Sequence, residues 1–459
     1  MLRTITAIAL VALASAIPRD VTAQRSSSGS TLIMGATVID GTGAAPEPKQ
    51  DVLIVGERIA FVGPEAARRA PAYARRFDAT GKWVIPGLID GHVHFFQTGG
   101  LDARPDIVPH PTGRSYLDVV NAIRLRPDPY LHAYVCAGVT AVVDPGGPMW
   151  VFEMRDRRAH VNSTPRIAFS GPLLATADPK PLELEHDEPI WLMKDPADTR
   201  ALVDRLAAHR PDMIKIWFVH RRDDDLAAQT ALVREAIAAI HDRKLRAAVH
   251  ATTLDTARAA VEAGADILVH SVGDREVDAA FVKAVVGRQV IYVPTLIVGK
   301  SYRDVRRRAV TFDPFELRCA PPSSVESFAV LPDLHDSILP RNPTLGVDPL
   351  PVQQRNLKTL WDAGAVIAAG TDAGNTRTLH GPSLHLELAL MTQAGLTPMQ
   401  ALVSATRNGA RLFGRDDIGR VSAGAQADLV ILDADPTADI LNTRRIRAVM
   451  RGGALHESR

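Results

Sequence analysis

The sequence is poor in cysteine and carries almost no net charge. Only two of its 459 residues are cysteines, Cys136 and Cys319, so an oxidising compartment is permitted but no disulfide framework is implied. Cys136 lies in an apolar helical pattern, which favours a place in the core over a chemical role. The formal net charge is +1, and no basic stripe with interleaved aromatic residues occurs. The composition therefore does not indicate a nucleic-acid partner.

Apolar runs long enough to span a bilayer are also missing. The N-terminal apolar run follows Arg3 and covers residues 5–17, fewer than the roughly 20 residues that a membrane helix needs. Small residues at 21–23 then form a cleavage site typical of exported proteins. We expect residues 1–23 to be a signal peptide and the mature protein to be secreted or periplasmic, without stable membrane insertion. An N-terminal anchor helix is the alternative, and a homo-oligomer is left open.

Two secondary-structure patterns divide the mature chain. Residues 31–85 and 415–459 contain short β runs separated by glycine- and proline-rich turns, and we expect both ends to form one small β domain. Between them, residues 86–414 alternate apolar β runs with helical periodicity, as in a (β/α)₈ barrel or a doubly wound sheet. The predicted strands of this alternation cover residues 84–90, 140–143, 166–169, 213–217, 246–249, 266–269, 290–293 and 366–369.

Polar side chains close or follow several of these predicted strands. Alternate residues of a strand point to the same face, so His92 and His94 share a face beyond the first strand. Lys215 lies between two isoleucines and would be partly buried, which a charged lysine resists without a partner. Barrel enzymes build their active sites at this end of the strands, which favours the barrel. The polar residues are His92, His94, Lys215, His250, His270 and Asp372.

Each of these residues also has an ordinary structural interpretation. A single histidine that ends a strand is usually a hydrogen-bonded rim residue, and Asp372 in Gly-Thr-Asp-Ala-Gly is also typical of a turn or a helix cap. One such coincidence is common, but six in strand order are not. Imidazoles and carboxylates grouped in this way suit Zn²⁺, so we favour a metal site.

Further motifs extend the pattern along nearly all of the mature chain. Taken with the strand-end residues, they make the chain resemble the amidohydrolase superfamily, and within it the branch of imidazolonepropionase and Xaa-Pro dipeptidases. The resemblance implies an α/β fold, a (β/α)₈ TIM barrel with a small β-sandwich made from both chain ends. It also implies a metal-dependent hydrolase. The motifs are VIPGLIDGHVH at 84–94, AGVTAVVD at 137–144, GTDAG at 370–374, LTPMQAL at 396–402, ATRNGA at 405–410 and GRVSAGAQADLV at 419–430.

A binuclear metal centre is the second implication of the resemblance. His92, His94 and Asp372 would hold one divalent ion, most simply Zn²⁺. His250 and His270 would hold the other. Lys215, carboxylated by carbon dioxide, would bridge both ions, and Asp372 would act as the general base toward a water that the metals acidify.

The resemblance implies a small amide as the substrate, either a dipeptide, an N-acyl amino acid or a related compound. A lactone or phosphoester hydrolase would use the same activated water and is the first alternative. A mononuclear deaminase is the second, although it would not need Lys215. A non-catalytic binding protein that has kept the barrel is a third, and it predicts gaps in the ligand set that the sequence does not show.

Substrate contacts are less clearly marked in the sequence. Tyr292 and His220 lie near strand ends, and we expect them to contact substrate. Thr253 stands where some peptidase relatives carry an aromatic residue. We expect residues 299–351 to form a long irregular segment, either a lid or a surface insertion, whose arginines either bind a substrate carboxylate or are simply solvated. The loop 95–111 and the acidic stretch 178–187 are further candidates for lining the site. 

Overall fold

The structure is a computed structural model that describes residues 29–180, 182–339 and 348–457. The predicted signal peptide, residues 1–23, lies outside these ranges. Within them, no helix has both the length and the apolar composition needed to cross a bilayer. The strands are β1 Ser30–Val38, β2 Glu47–Val55, β3 Arg58–Val62, β4 Arg75–Asp78, β5 Trp83–Pro86, β6 Leu88–Asp90, β7 Val139–Asp144, β8 Arg166–Phe169, β9 Leu173–Ala175, β10 Ile190–Leu192, β11 Ile214–Trp217, β12 Ala247–His250, β13 Ile267–Val269, β14 Ile291–Val293, β15 Val366–Ile367, β16 Leu429–Leu432, β17 Ile446–Arg451 and β18 Ala454–Glu457.

Helices occupy most of the intervals between the strands. Three further 3₁₀ segments cover Ser327–Asp333, Asp336–Ile338 and Ile440–Arg444. The α-helices are α1 Ala66–Arg69, α2 Tyr116–Leu125, α3 Asp128–Cys136, α4 Trp150–Arg158, α5 Pro196–Ala207, α6 Leu226–Asp242, α7 Leu254–Ala263, α8 Ala279–Gly287, α9 Leu296–Arg306, α10 Pro314–Cys319, α11 Pro322–Glu326, α12 Leu350–Asp362, α13 Ser383–Gln393, α14 Pro398–Ser404 and α15 Arg407–Phe413.

Both ends of the described chain meet in one mixed sheet. Its strand order is β18-β17-β16-β5-β1-β2-β3, and β4 pairs with β1. The two ends join where β16 runs antiparallel to β5, with Ile431 opposite Val84. Inward-facing residues such as Ile33, Val52 and Met450 form a core of their own in this sheet. We call it the end sheet.

The middle of the chain forms two parallel sheets. One has the order β10-β9-β11-β12-β13-β14-β15, and the other has the order β6-β7-β8. Strands such as β7 are buried along their whole length, which is typical of parallel strands covered by helices on the outer face. The helices that follow the strands pack their apolar faces on this core.

Backbone hydrogen bonds connect the two parallel sheets at both edges. Gly91 N donates to the carbonyl of Ala369 at 2.8 Å, beyond the ends of β6 and β15. At the other edge, Asp212 N donates to the carbonyl of Phe169 at 2.9 Å. The carboxyl ends of the parallel strands therefore lie next to one another across both sheets.

Each of the eight strands predicted for this region overlaps a strand of the structure, and one of them is divided into two strands. Residues 84–90 were expected to form one strand, but the chain divides at Gly87, so β5 joins the end sheet and β6 joins the parallel sheet. Gly87 fits there because a Cβ atom would lie 2.1 Å from Thr140 Oγ1. The short strands β9 and β10 were not predicted.

The segment 299–351 is mostly helical where it is described, so the expectation of an irregular segment was wrong. The expectation was based on the prolines of the segment, which are usually excluded from the interior of a helix. Pro314 and Pro322 stand in the first turns of α10 and α11, where a helix needs no backbone N–H from the residue. Asp313 and Glu316 complete a capping box around α10.

A disulfide joins this helical segment to the body of the protein. Cys136, at the end of α3, is bonded to Cys319, at the end of α10, with 5.5 Å between their Cα atoms. The two cysteines are 183 residues apart in sequence, which is why their pairing could not be read from the chain.

Candidate metal centre

Backbone hydrogen bonds between two strand-end loops bring three predicted ligands together. Val93 forms a parallel β-bridge with Ala373. Asp372 N donates to the carbonyl of His92 at 2.7 Å, and His94 N donates to the carbonyl of Ala373 at 2.7 Å. Because the two loops run in register, the side chains of His92, His94 and Asp372 meet.

Three side-chain atoms of this group converge closely. His92 Nε2 and His94 Nε2 are 3.2 Å apart, and they lie 3.5 Å and 3.3 Å from Asp372 Oδ1. Asp372 Oδ1 is buried without a hydrogen-bond partner among the described residues. His94 Nδ1 lies 2.7 Å from the carbonyl oxygen of Gly146, which can only accept, so the neutral ring has its lone pair at Nε2. This donor set fits a divalent cation.

Lys215, His250 and His270 approach the same point from the neighbouring strands. β11 and β12 pair with Lys215 opposite Ala248, and His250 closes β12. The ring centroids of His250 and His270 are 4.4 Å apart, and those of His92 and His270 are 4.9 Å apart. His92, His270 and Asp372 each offer a ligand atom within 4.8 Å of the others.

The structure therefore brings all six predicted metal ligands into one group, which we call the ligand cluster. Its members are His92, His94, Lys215, His250, His270 and Asp372.

Burial favours the neutral form of four bases of the ligand cluster, His92, Lys215, His250 and His270. Desolvation, followed by the charge of Lys215, lowers the pKa of His92 well below its usual value. Desolvation also lowers the pKa of His250 and His270 well below the usual value. It lowers the pKa of Lys215, which is 1% exposed, to about 7, although Asp372 and Asp144 oppose the shift. Neutral imidazole is the form that binds metal, and a neutral amine is nucleophilic.

Hydrogen bonds from the loops orient the ligands. His270 Nδ1 lies 2.8 Å from Thr295 Oγ1. Asn375 Nδ2 donates to Asp372 Oδ2 at 3.0 Å, and the Tyr302 hydroxyl donates to Asn375 Oδ1. Partners of this kind fix the orientation of metal ligands, and here they leave Asp372 Oδ1 free to face the histidines.

Two buried aspartates brace the loops that carry the histidines. Asp90 accepts hydrogen bonds from Thr371 N at 3.0 Å and from Thr371 Oγ1 at 2.7 Å, and burial raises the pKa of Asp90 to about 7. Asp144 accepts a hydrogen bond from Phe95 N at 2.9 Å, and its Oδ1 lies 3.5 Å from His94 Nδ1. Asp90 lies in the motif at 84–94 and Asp144 in the motif at 137–144, but neither residue was predicted to have a role.

A cavity of about 780 Å³ borders the ligand cluster, a size typical of small-molecule sites. All members of the cluster except His92 line it. Residues from separate loops and helices line the rest, with apolar side chains of β9 and β10 beside arginines of α9. We call six of these residues the outer wall: Phe96, Gln97, Arg104, Trp217, Tyr302 and Arg303.

The two predicted substrate contacts are not among the described residues that line the cavity. Tyr292 is fully buried, and its hydroxyl accepts a hydrogen bond from Val272 N at 3.0 Å. His220 Nδ1 lies 3.0 Å from Gln229 Oε1. Side chains near a strand end point either toward the cavity or away from it. A position near a strand end was therefore not enough to predict a contact with substrate. Thr253 does line the cavity, where it also caps α7.

The loop 95–111 supplies residues that the sequence analysis did not single out. Arg104 enters the cavity, and Asp106 holds it through Nε at 2.8 Å and Nη2 at 2.5 Å. Arg104 Nη1 makes no hydrogen bond with the described residues, so the fixed guanidinium still offers donors to a ligand. The only sequence signal for Arg104 was its position in the loop 95–111, which the sequence had suggested as a candidate for lining the site.

Comparisons with known proteins agree with this geometry. A model of the amidohydrolase family matches residues 83–455. The imidazolonepropionase of Streptomyces avermitilis is 28% identical over 410 residues, covering 83% of this chain and 80% of the relative. 

Solved structures are similar over nearly the whole chain. A Xaa-Pro dipeptidase with bound methionine in its active site has a TM-score of 0.70 at 22% identity and covers 94% of this chain and 100% of its own. The ochratoxinase of A. niger has a TM-score of 0.68 at 20% identity and covers 94% and 96%. At this identity the two structures support the fold, a TIM-barrel-type α/β domain.

The match to the family model includes every member of the ligand cluster and both loops that hold it. The chain belongs to the amidohydrolase family, and it is a metal-dependent hydrolase that acts on C–N bonds.

Proposed function

We propose that the protein is an exported amidohydrolase with a binuclear zinc centre that cleaves a small amide, either an N-acyl amino acid or a dipeptide. The observation that carries the proposal is the convergence of His92, His94 and Asp372, whose Oδ1 is buried without a partner. A buried carboxylate oxygen is costly unless it is paired, and an ion between these atoms would pair it.

Asp372 has the proton-transfer role in this proposal. Metal ions bound by the ligand cluster would supply an acidified water and a polarised carbonyl group. The Asp372 carboxylate lies among the ligands, where it would accept the proton of the attacking water and pass it to the departing amine nitrogen. Asn375 Nδ2 donates a hydrogen bond to Oδ2 of the same carboxylate, so that Oδ1 is the oxygen that faces His92 and His94.

Lys215 carries a carbamate in this proposal. With its pKa lowered to about 7, a large fraction of the buried amine is neutral at physiological pH. Its Nζ lone pair attacks carbon dioxide, forms an N–C bond and loses one proton, so the product is an anionic ligand. Lys215 is buried within the ligand cluster, so cations held by the cluster would stabilise this anion.

The substrate class follows from the lining of the cavity. Apolar residues such as Leu173, Leu182 and Trp217 suit an acyl group or an apolar side chain. Arg104, fixed by Asp106, suits a carboxylate at the other end of the substrate. An N-acyl amino acid or a dipeptide has both features and fits in about 780 Å³.

Export and barrel closure belong to the same proposal. The N-terminal apolar run and the disulfide between Cys136 and Cys319 support a location in an oxidising compartment. Hydrogen bonds from Gly91 to Ala369 and from Asp212 to Phe169 support closure of the two parallel sheets into a (β/α)₈ barrel. In this arrangement the end sheet belongs to the flanking β-sandwich domain.

Metal analysis combined with a substrate panel tests the proposal. The mature chain, purified without chelator, is expected to hold about two equivalents of zinc per chain. It is expected to release amine from N-acyl amino acids or dipeptides faster than it opens a lactone or cleaves a phosphotriester. One equivalent of metal, or activity confined to the lactone or phosphotriester, would contradict the proposal.

A further inference from the structure

Gln97 is held beside the ligand cluster. It is the third residue after His94, and its backbone N–H donates to the His94 carbonyl at 3.2 Å. Gly374 packs against both residues, because a Cβ atom on it would come 3.1 Å from Gln97 Cβ and 2.4 Å from the His94 carbonyl oxygen. Gln97, in the loop that follows His94, therefore contacts the loop that carries Asp372.

The side-chain oxygen of Gln97 is buried without a partner. The residue is 2% exposed and lines the cavity. Its Oε1 makes no hydrogen bond with the described residues. The backbone carbonyl is satisfied, since it lies 2.8 Å from His380 Nε2.

An amide group in this state is costly, because removal from water is not offset by hydrogen bonds. The cost is relieved when a ligand in the cavity offers a donor to Oε1. A substrate amide offers one such donor, its own N–H, on the side opposite the carbonyl oxygen that faces the ligand cluster.

We propose that Gln97 accepts a hydrogen bond from the N–H of the scissile amide, so that the enzyme prefers secondary amides to tertiary amides. The inference rests on the proposed amide hydrolysis and narrows its substrate class. A tertiary amide has no N–H and leaves Gln97 Oε1 unpaired in a closed site. The Xaa-Pro bond is a tertiary amide, so this chain would differ in preference from the solved dipeptidase that its fold resembles.

A matched pair of substrates tests the inference. N-acyl-alanine and N-acyl-N-methylalanine differ only at the amide nitrogen, which carries a hydrogen in the first and a methyl group in the second. The wild-type enzyme is expected to favour the first in kcat/KM by roughly tenfold to a hundredfold. Gln97→Met, which keeps the shape and removes the acceptor, is expected to bring this ratio close to one by slowing the secondary amide.

Gln353 provides a matched control in the same cavity. It lies on α12, it lines the cavity, and its Oε1 is also buried without a partner. Gln353→Met is expected to change both substrates to the same extent and to leave their ratio unaltered. A ratio that changes in Gln353→Met as much as in Gln97→Met would contradict the assignment.

Binding of phosphonamidate analogues separates this inference from the proposed function. Calorimetry compares an analogue that carries P–N–H with its N-methyl counterpart, without any hydrolysis. Tighter binding of the P–N–H analogue by the wild type, lost in Gln97→Met, supports the inference even if no natural amide is cleaved. Equal binding of the two analogues, or equal hydrolysis of the two substrates by the wild type, overturns it without affecting the metal centre.

Discussion

The ligand cluster and the outer wall border one cavity but are built by different means. The ligand cluster comes from strand ends, and backbone hydrogen bonds such as the one from Asp372 N to His92 fix its register. The outer wall comes from the loop 95–111, from α9 and from side chains such as Trp217. The metal-binding part is therefore set by pairing between strands, whereas the substrate-binding part is set by packing between loops and helices.

This difference implies that the two parts can be altered separately. His92, His94 and Asp372 contact one another through atoms only 3.2 to 3.5 Å apart, so the loss of one of them is expected to disturb the other two. Arg104 is held by Asp106 within its own loop. A change in the outer wall is therefore expected to alter substrate recognition and to leave metal binding intact.

The largest effect is expected for Lys215→Ala. Lys215 bridges both ions in the proposed centre, so its removal is expected to lower the metal content and to reduce kcat/KM by at least about a hundredfold. Metal analysis and an amide assay on the same preparation measure both effects. Lys283→Ala, at an exposed lysine of α8, is the control and is expected to behave as the wild type. Full metal content in Lys215→Ala would refute the bridging role.

Arg104→Leu is expected to act on the substrate alone. Loss of a charge-assisted hydrogen bond is expected to raise KM for a substrate with a carboxylate by roughly tenfold to a hundredfold. The metal content is expected to stay at the wild-type value. An amide that lacks the carboxylate serves as the control, and an equal rise in its KM would show that Arg104 has only a structural role.

Metal loading of the metal-free protein is expected to depend on pH near neutrality. In the proposed centre, carbon dioxide would react with the neutral amine of Lys215. Burial lowers the pKa of Lys215 to about 7, so the neutral fraction increases as pH rises from 6 to 8. Burial lowers the pKa of His250 and His270 well below the usual value, which favours their neutral, metal-binding form. Recovery of activity with zinc and bicarbonate should increase with pH in this interval. A flat profile would remove the carbamate from the proposal.

The smallest effect on the site is expected from loss of the disulfide. The double variant Cys136→Ser/Cys319→Ser is expected to lose about 2–5 kcal/mol of unfolding free energy, because the bond closes a long loop. Metal content is expected to be unchanged, since neither cysteine belongs to the ligand cluster. Thermal unfolding and metal analysis, with and without a reducing agent on the wild type, measure the two quantities. Loss of metal on reduction would show that the cluster depends on α10.

The strands and the ligand cluster could be predicted because they depend on short stretches of sequence. Runs such as 213–217 and 290–293 are apolar over the length of one buried strand, and His250 and His270 close theirs. Parallel strands align their ends, so residues at those ends meet without further information. The resemblance to the amidohydrolase superfamily then implied which of these residues are metal ligands and which is the general base.

The outer wall could not be predicted because its residues meet only through tertiary packing. Arg104 reaches the cavity because the loop 95–111 folds back over the strand ends. Tyr302 reaches Asn375 because α9 is helical, in a segment that its prolines made look irregular. Tyr292, which was predicted to contact substrate, has its hydroxyl turned toward Val272 N instead. No local pattern distinguishes these outcomes.

The pairing of β5 with β16 also constrains how the chain folds. Val84 pairs with Val38 of β1 on one side and with Ile431 of β16 on the other, so the end sheet is complete only when β16 has joined strands that lie more than 300 residues earlier. Contacts this distant in sequence are slow to form because the loop between them must close first. The end sheet is therefore expected to be completed late in folding, after residues 429–432 have paired with β5.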